Sequence, residues 1–225
     1  MIYVRVDQVK STKNVMGSKK LKTDVYTKVA DFIYETSIHS RTPRSGFWFL
    51  GSGSQSVAEH LFHVAMIAYA MCHFEPKADK NKVVMMALFH DIGEGRTSDH
   101  NYVHQRYGRL AEASAVADIA RSVPFGQEIS DLFQEEQKQE TLEARLVKDA
   151  DQLEWISTLR AEEIKGNSKA GQWIKIARKR LKTTAGKKLG SVLEKVNPDS
   201  WWFDAGDAWF VDRKQEDKDW KNNQK

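Results

Sequence analysis

Three features of the 225-residue sequence predict an all-α fold. Apolar residues recur at three- and four-residue spacing along most of the chain. Loop signals separate these runs, and Ser56 with Glu59 three positions later has the form of a helix-opening capping box. A stretch from about Gln139 to Ile164 is apolar on much of its circumference, which predicts a long, central, buried helix. The length suits a single domain with a full core. With 40% hydrophobic and 29% charged residues, the composition excludes disorder of the whole chain.

The elements follow in order. Ile2, Val4 and Val6 alternate and suggest a short strand, ended by the polar stretch from Ser11 to Lys22. Thr23 or Asp24 caps a helix to about Ile38, with Val25, Val29, Phe32 and Ile33 on one face. Arg41 to Gln55, with Pro43, Gly46, Gly51 and Gly53, reads as a loop. Its Phe47-Trp48-Phe49-Leu50 run is apolar for a connection, so the loop is expected to lie on the protein body or roof a pocket. Helices are expected over Val57–Phe74 and Ala78–Ile92, the second stopped by Gly93 and Gly95. Residues 96–108 read as irregular, and helices follow near 109–121, 125–137, 139–164, 169–183 and 185–196. Trp201-Trp202-Phe203 and Trp209-Phe210 are expected to form a C-terminal aromatic wrap, with a tail from Asp212 mobile at its end. The resulting division is a basic N-terminal extension over 1–22, a helical domain over 23–197 and a C-terminal extension over 198–225 packing on it.

The single cysteine, Cys72, excludes a disulfide framework. The start of the chain lacks the apolar core of a signal peptide, and the longest apolar run, Val64–Cys72, is too short to span a bilayer. A cytoplasmic location and no membrane partner are therefore expected. The net charge of +4 is concentrated in the first 22 residues, where Arg5, Lys10, Lys13, Lys19, Lys20 and Lys22 face only Asp7. A solvated basic arm is the reading, and no specific nucleic-acid binding is expected.

The chemistry gathers around His60 and His90-Asp91. His60 opens one apolar helix and His90 closes the next, so antiparallel packing brings both to one edge of a bundle. Two imidazoles and nearby carboxylates suit a divalent transition metal such as Mn²⁺, Co²⁺, Fe²⁺ or Zn²⁺. Glu94 lies three residues after Asp91, and on a continuing helical turn it shares that face, where it can orient or deprotonate water. Asp99, in Thr-Ser-Asp-His-Asn, reads equally as a helix cap or as an acid of the site.

Four strings then match a known pattern. Ser-Val-Ala-Glu-His (56–60), Phe-His-Asp-Ile-Gly-Glu (89–94), Thr-Ser-Asp (97–99) and Ala-Arg-Leu-Val-Lys-Asp-Ala-Asp-Gln-Leu-Glu (144–154) together resemble the HD superfamily. The likeness is closest to its branch of metal-dependent 5′-deoxynucleotidases, and Arg-Thr-Pro-Arg-Ser-Gly-Phe (41–47) resembles that branch's substrate loop. It covers roughly residues 25–160, and the strings are specific in combination whereas His-Asp alone is not.

The resemblance implies an HD-type bundle in which His60, His90, Asp91 and Asp151 bind one divalent metal. Glu94 handles the water, Asp99 assists at the phosphate or leaving oxygen, and Arg44 contacts the nucleotide. Phe47 and Trp48 stand where the family often has a tryptophan after its loop arginine, and Ser98 where it often has glycine. A small-molecule nucleotide substrate and a homodimer are also implied. The expected activity is release of phosphate from (deoxy)ribonucleoside 5′-monophosphates. The alternatives are an HD hydrolase of nucleoside triphosphates or alarmones, or a non-catalytic nucleotide-binding domain.

Asp149 competes with Asp151 for the fourth ligand position. The two lie about 200° apart on the same helix, and the apolar residues Leu142, Leu146, Ala150 and Leu153 lean slightly toward Asp149. The family pattern Val-Lys-x-x-Asp points to Asp151. Other signals carry less. His63 reads as packing or a surface hydrogen bond, His100 and His104 as a solvated pair, and His39 and His73 as helix-end residues. Met66, Met71, Met85 and Met86 read as core, and Gly51-Ser-Gly-Ser lacks the ending of a phosphate-binding loop.

Overall fold

The computed structural model describes residues 24–211. The expected strand at Ile2–Val6, the basic arm and the tail from Asp212 lie outside the described residues. Within them the chain is helical, with no strand and only an isolated bridge between Pro43 and Ser56.

The chain runs α1 (Val25–Thr36), α2 (Gly46–Leu50), α3 (Val57–Met71), α4 (Lys80–Phe89), α5 (Glu94–Thr97), α6 (Tyr102–Tyr107), α7 (Glu112–Ser122), α8 (Gly126–Lys138), α9 (Leu142–Ile164), α10 (Ala170–Arg178) and α11 (Thr184–Leu193). The predicted long helix, α9, is the axis of the bundle. It packs against α3, α4, α8, α10 and α11 and buries Leu146, Val147, Ala150, Leu153, Ile156 and Leu159. A smaller apolar cluster joins Ile92 to Val116, Ile119, Ile129 and Phe133 of α7 and α8, which anchors the segment following His90-Asp91 from beneath.

Local signals account for most boundaries. Ser56 and Glu59 form the reciprocal capping box, and Thr141 caps α9 by accepting from the Ala144 amide. Three expectations need correction. α4 ends at Phe89, short of Ile92 and before the glycines, and Gly93 is the N-cap of α5 with Gly95 within it. Residues 96–108 include α6 and are not irregular throughout; its cap is Asn101, which accepts from the Val103 and His104 amides. The loop at 41–55 contains α2, whose Phe47 and Leu50 enter the core.

The face of α1 also differs. Val25 and Ile33 are exposed, while Phe32 makes an edge-on contact with Phe125 at 5.3 Å. Met66 is exposed, whereas Met71 and Met86 are buried. At the C-terminal end, Trp202, Phe203 and Phe210 pack on one another, and Trp201, Trp202 and Phe203 are exposed.

Candidate metal centre

α3 and α4 run antiparallel and place His60, in the first turn of α3, beside His90, the C-cap of α4. Their ring centroids are 5.4 Å apart and both side chains are buried. The two rings are held alike. His60 Nδ1 lies 3.0 Å from Glu154 Oε2, and His90 Nδ1 lies 2.8 Å from the Ala87 carbonyl. A carbonyl only accepts, so Nδ1 of His90 carries a proton. The Glu154 carboxyl, held well below its usual range by its His60 and His63 bonds despite burial, accepts from His60 in the same way. Such partners fix the tautomer and leave Nε2 as the ligating atom.

Both Nε2 atoms are buried without a hydrogen-bond partner and converge on one place. Asp91 Oδ2 is 3.5 Å from Nε2 of His60 and 3.2 Å from Nε2 of His90. His60, His90 and Asp91 each offer an atom within 4.8 Å of the others, and Asp151 Oδ1 lies 3.6 Å from His60 Nε2. Two buried nitrogen lone pairs among carboxylates leave polar groups unsatisfied. A divalent cation satisfies all of them at once, so the donor set fits the metal expected from the sequence.

The two aspartates of α9 have different surroundings. Asp149 points away from the imidazoles and accepts from the amides of Lys182 and Thr183 and from the Thr183 hydroxyl, each at 2.7 Å. It fastens the turn before α11. Asp151 faces the imidazoles with Oδ1 and turns Oδ2 toward Lys148 Nζ at 3.3 Å and Gln152 Nε2 at 3.1 Å. Lys148 is steadied from behind by buried Glu136, 3.8 Å away. The Lys148 ammonium is pushed up by Asp151, against burial and with help from Glu136, so it stays charged.

The remaining predicted residues divide into two groups. Arg44, Glu94 and Asp99 line a cavity of about 540 Å³ together with Asp91 and Asp151. Burial opposes the charge of Arg44, but the carboxylates of Glu154, Asp151, Asp91 and Asp99 outweigh it and raise its pKa. Its Nη1 is buried without a hydrogen-bond partner. Burial, reinforced by Asp91 and Asp99, pushes the Glu94 carboxyl up to about 10, and its Oε2 is likewise buried and unbonded. Asp99 is no cap: its Oδ2 accepts from the amide and hydroxyl of Ser45, at 2.5 and 2.8 Å. Ser98, just before it, has φ 63° and ψ 160°, a region of backbone space that favours glycine.

Phe47 and Trp48 are not brought to this cavity. Phe47 is buried edge-on against Trp155, with centroids 5.3 Å apart, and Trp48 stands on the outer surface beside His104. The rings that line the cavity are instead Phe49, Tyr102, Trp155 and Trp173.

Sequence reasoning missed Lys148 and Glu154 as site residues. Both were within reach: they sit three residues before and three after Asp151, the spacing that shares a helix face. His39 is no mere helix end, since its ring nitrogens approach the Thr36 and Ile92 carbonyls at 2.9 and 3.0 Å and tie η1 (Ser37–Ser40) to the His90-Asp91 segment.

Fold and site together define a helical bundle with a His/His/Asp cluster whose aspartate lines a cavity that also holds an arginine. The chain belongs to the HD domain family, whose pattern it matches over residues 40–193. It is 34% identical over 113 residues to 5′-deoxynucleotidase HDDC2 of Dictyostelium discoideum, a match covering 45% of this chain and 60% of that protein. It is 29% identical over 136 residues to 5′-deoxynucleotidase hdd1 of Schizosaccharomyces pombe, covering 56% of this chain and 68% of that one. A conserved hypothetical protein from Pyrococcus furiosus superposes with a TM-score of 0.62 at 27% identity, over 74% of this chain and 99% of its own. The match thus spans about three fifths of the Dictyostelium relative's length. No helix among the described residues is long and apolar enough to cross a membrane.

Proposed function

We propose that the protein is a metal-dependent phosphohydrolase that releases phosphate from (deoxy)ribonucleoside 5′-monophosphates. The observation that carries this reading is the pair of buried, unbonded Nε2 atoms on His60 and His90, facing Asp91 and Asp151 in a cavity shared with Arg44. His60, His90, Asp91 and Asp151 hold one divalent transition metal, Mn²⁺, Co²⁺, Fe²⁺ or Zn²⁺ being suited to nitrogen and oxygen donors. When bound, such a metal polarises a phosphoryl oxygen and makes water nucleophilic near neutral pH.

The chain's own residues do the rest. Glu94 orients the attacking water and takes its proton in its ionised form, which the positive charge of a bound cation would favour against the burial that otherwise keeps the carboxyl protonated. Arg44 binds the phosphoryl group through its buried Nη1, which has no protein partner. Asp99, fixed by Ser45, meets the leaving oxygen or the sugar. The relatives named as 5′-deoxynucleotidases support the nucleotide as substrate.

A homodimer is part of the proposal, supported by exposed Phe62, Met66 and Tyr69 along α3; sedimentation of the purified chain tests it. For the activity, metal-loaded protein is incubated with deoxynucleoside 5′-monophosphates and triphosphates. Inorganic phosphate from the monophosphates is the expected product. Pyrophosphate or triphosphate as the leading product, or no turnover with any of the four metals, contradicts the proposal.

A further inference from the structure

The cavity extends beyond the groups that handle phosphate, along a row of rings. The Arg44 guanidinium stands 6.0 Å from the Trp155 ring centroid. Trp155 lies 6.2 Å from Trp173, and Trp173 lies 6.5 Å from Tyr102. At the end of the row, the Arg180 guanidinium sits 4.7 Å over the Tyr102 ring and donates to its hydroxyl at 2.5 Å. All five side chains line the same cavity.

We propose that the Trp173–Tyr102 wall is the nucleobase subsite: a flat aromatic base stacks there while the 5′-phosphate lies beside Arg44. This rests on the nucleotide reading above and adds how the base is held. Three physical points support it. A cavity of about 540 Å³ falls within the range that encloses a whole small ligand, far more than a phosphate group needs. Trp155 is almost fully buried, but Tyr102 is 50% exposed and Trp173 only partly buried, so aromatic surface is presented to the cavity. Rings that serve only the core have no reason to remain open beside an anion-binding arginine.

The wall also predicts the kind of selectivity. Every base has a π-face, so stacking tolerates any of them. The polar side chains nearby, Gln105, Gln139 and Gln152, each commit one amide atom to a bond within the protein, to His100, Lys182 and Asp151, so none is free to pair with a base edge through both its donor and its acceptor. The protein should therefore require a base while caring little which one it is.

The test compares wild type, Trp173→Ala, Trp173→Phe and Tyr102→Ala as full-length, metal-loaded protein. The substrates are four deoxynucleoside 5′-monophosphates and 2-deoxyribose 5-phosphate, which has no base. Wild type should favour the nucleotides over the base-free sugar phosphate by on the order of ten- to a hundredfold in kcat/KM. The four bases should differ far less than that. In Trp173→Ala and Tyr102→Ala the nucleotides should fall toward the sugar phosphate, and Trp173→Phe should keep most of the preference. Thermal melting of each variant separates this from unfolding, because Trp173 also packs against the core. Equal use of both substrate types by wild type overturns the subsite, as does a parallel loss of both in a folded Trp173→Ala variant. If wild type hydrolyses nothing, the activity proposal fails by itself. The wall is then judged by titrating a phosphate-free deoxynucleoside into the protein and following tryptophan fluorescence. Saturable quenching that Trp173→Ala and Tyr102→Ala abolish supports the subsite, and its absence in wild type overturns it.

Discussion

On the α11 side of α9, Asp149 is saturated: two amides and one hydroxyl donate to it, and nothing about it invites a further partner. On the α3 side, two residues later, Asp151 faces the Nε2 atom of His60, which like that of His90 makes no hydrogen bond although carboxylates surround it. Both are buried or nearly so, both are aspartates, and both stand on one helix. What separates them is the completeness of their surroundings. A structural acid comes with its hydrogen bonds already made, whereas an acid that serves a bound species sits among gaps that the folded chain leaves open. Glu94 Oε2 and Arg44 Nη1 extend those gaps across the cavity.

The contrast can be sharpened in order of expected effect. Glu94→Gln keeps the shape of the side chain but removes its capacity to accept a proton. It should lower kcat by about 10²- to 10⁴-fold with metal content unchanged, as read by steady-state kinetics and elemental analysis. Lys148→Met removes the partner that turns Asp151 Oδ2 away from the imidazoles. Metal affinity, measured by calorimetry, should fall about 10- to 100-fold, the usual cost of losing an outer partner of a ligand. Lys148→Arg should restore part of it. An unchanged metal affinity with a raised KM would instead make Lys148 a phosphate contact.

Two smaller effects probe stability. Asp149→Asn places an amide where three donors converge, and denaturant unfolding should show a loss of about 2–3 kcal/mol. Ser98→Gly relaxes a residue held at φ 63° just before Asp99. The folded state should gain about 1 kcal/mol, seen as a higher Tm, with Asp99 less rigidly aimed. A fall in Tm would show that the Ser98 backbone is unstrained.

Much of this contrast is legible in the sequence, and the illegible parts have physical causes. The capping box at Ser56 and Glu59, the antiparallel α3–α4 pair and the burial of α9 each rest on several residues repeating one signal. α2, α5 and α6 do not: with four to six residues each, they are too short to show a helical period. The face of α1 differs because Val25 and Ile33 look apolar in a wheel but are left uncovered by the described residues. Asp149 and Asp151 could not be separated by periodicity because α9 is buried on nearly every side, so its apolar pattern points nowhere in particular. Phe47 occupies a recognition position by likeness alone, and the turn of α2 directs it inward onto Trp155.

Where a cation binds separates the two aspartates most directly. Wild type, Asp149→Asn and Asp151→Asn are each loaded with Co²⁺, dialysed and analysed for metal per chain. One ion in wild type and in Asp149→Asn, with loss from Asp151→Asn, is the predicted result. Retention in Asp151→Asn together with loss in Asp149→Asn contradicts it.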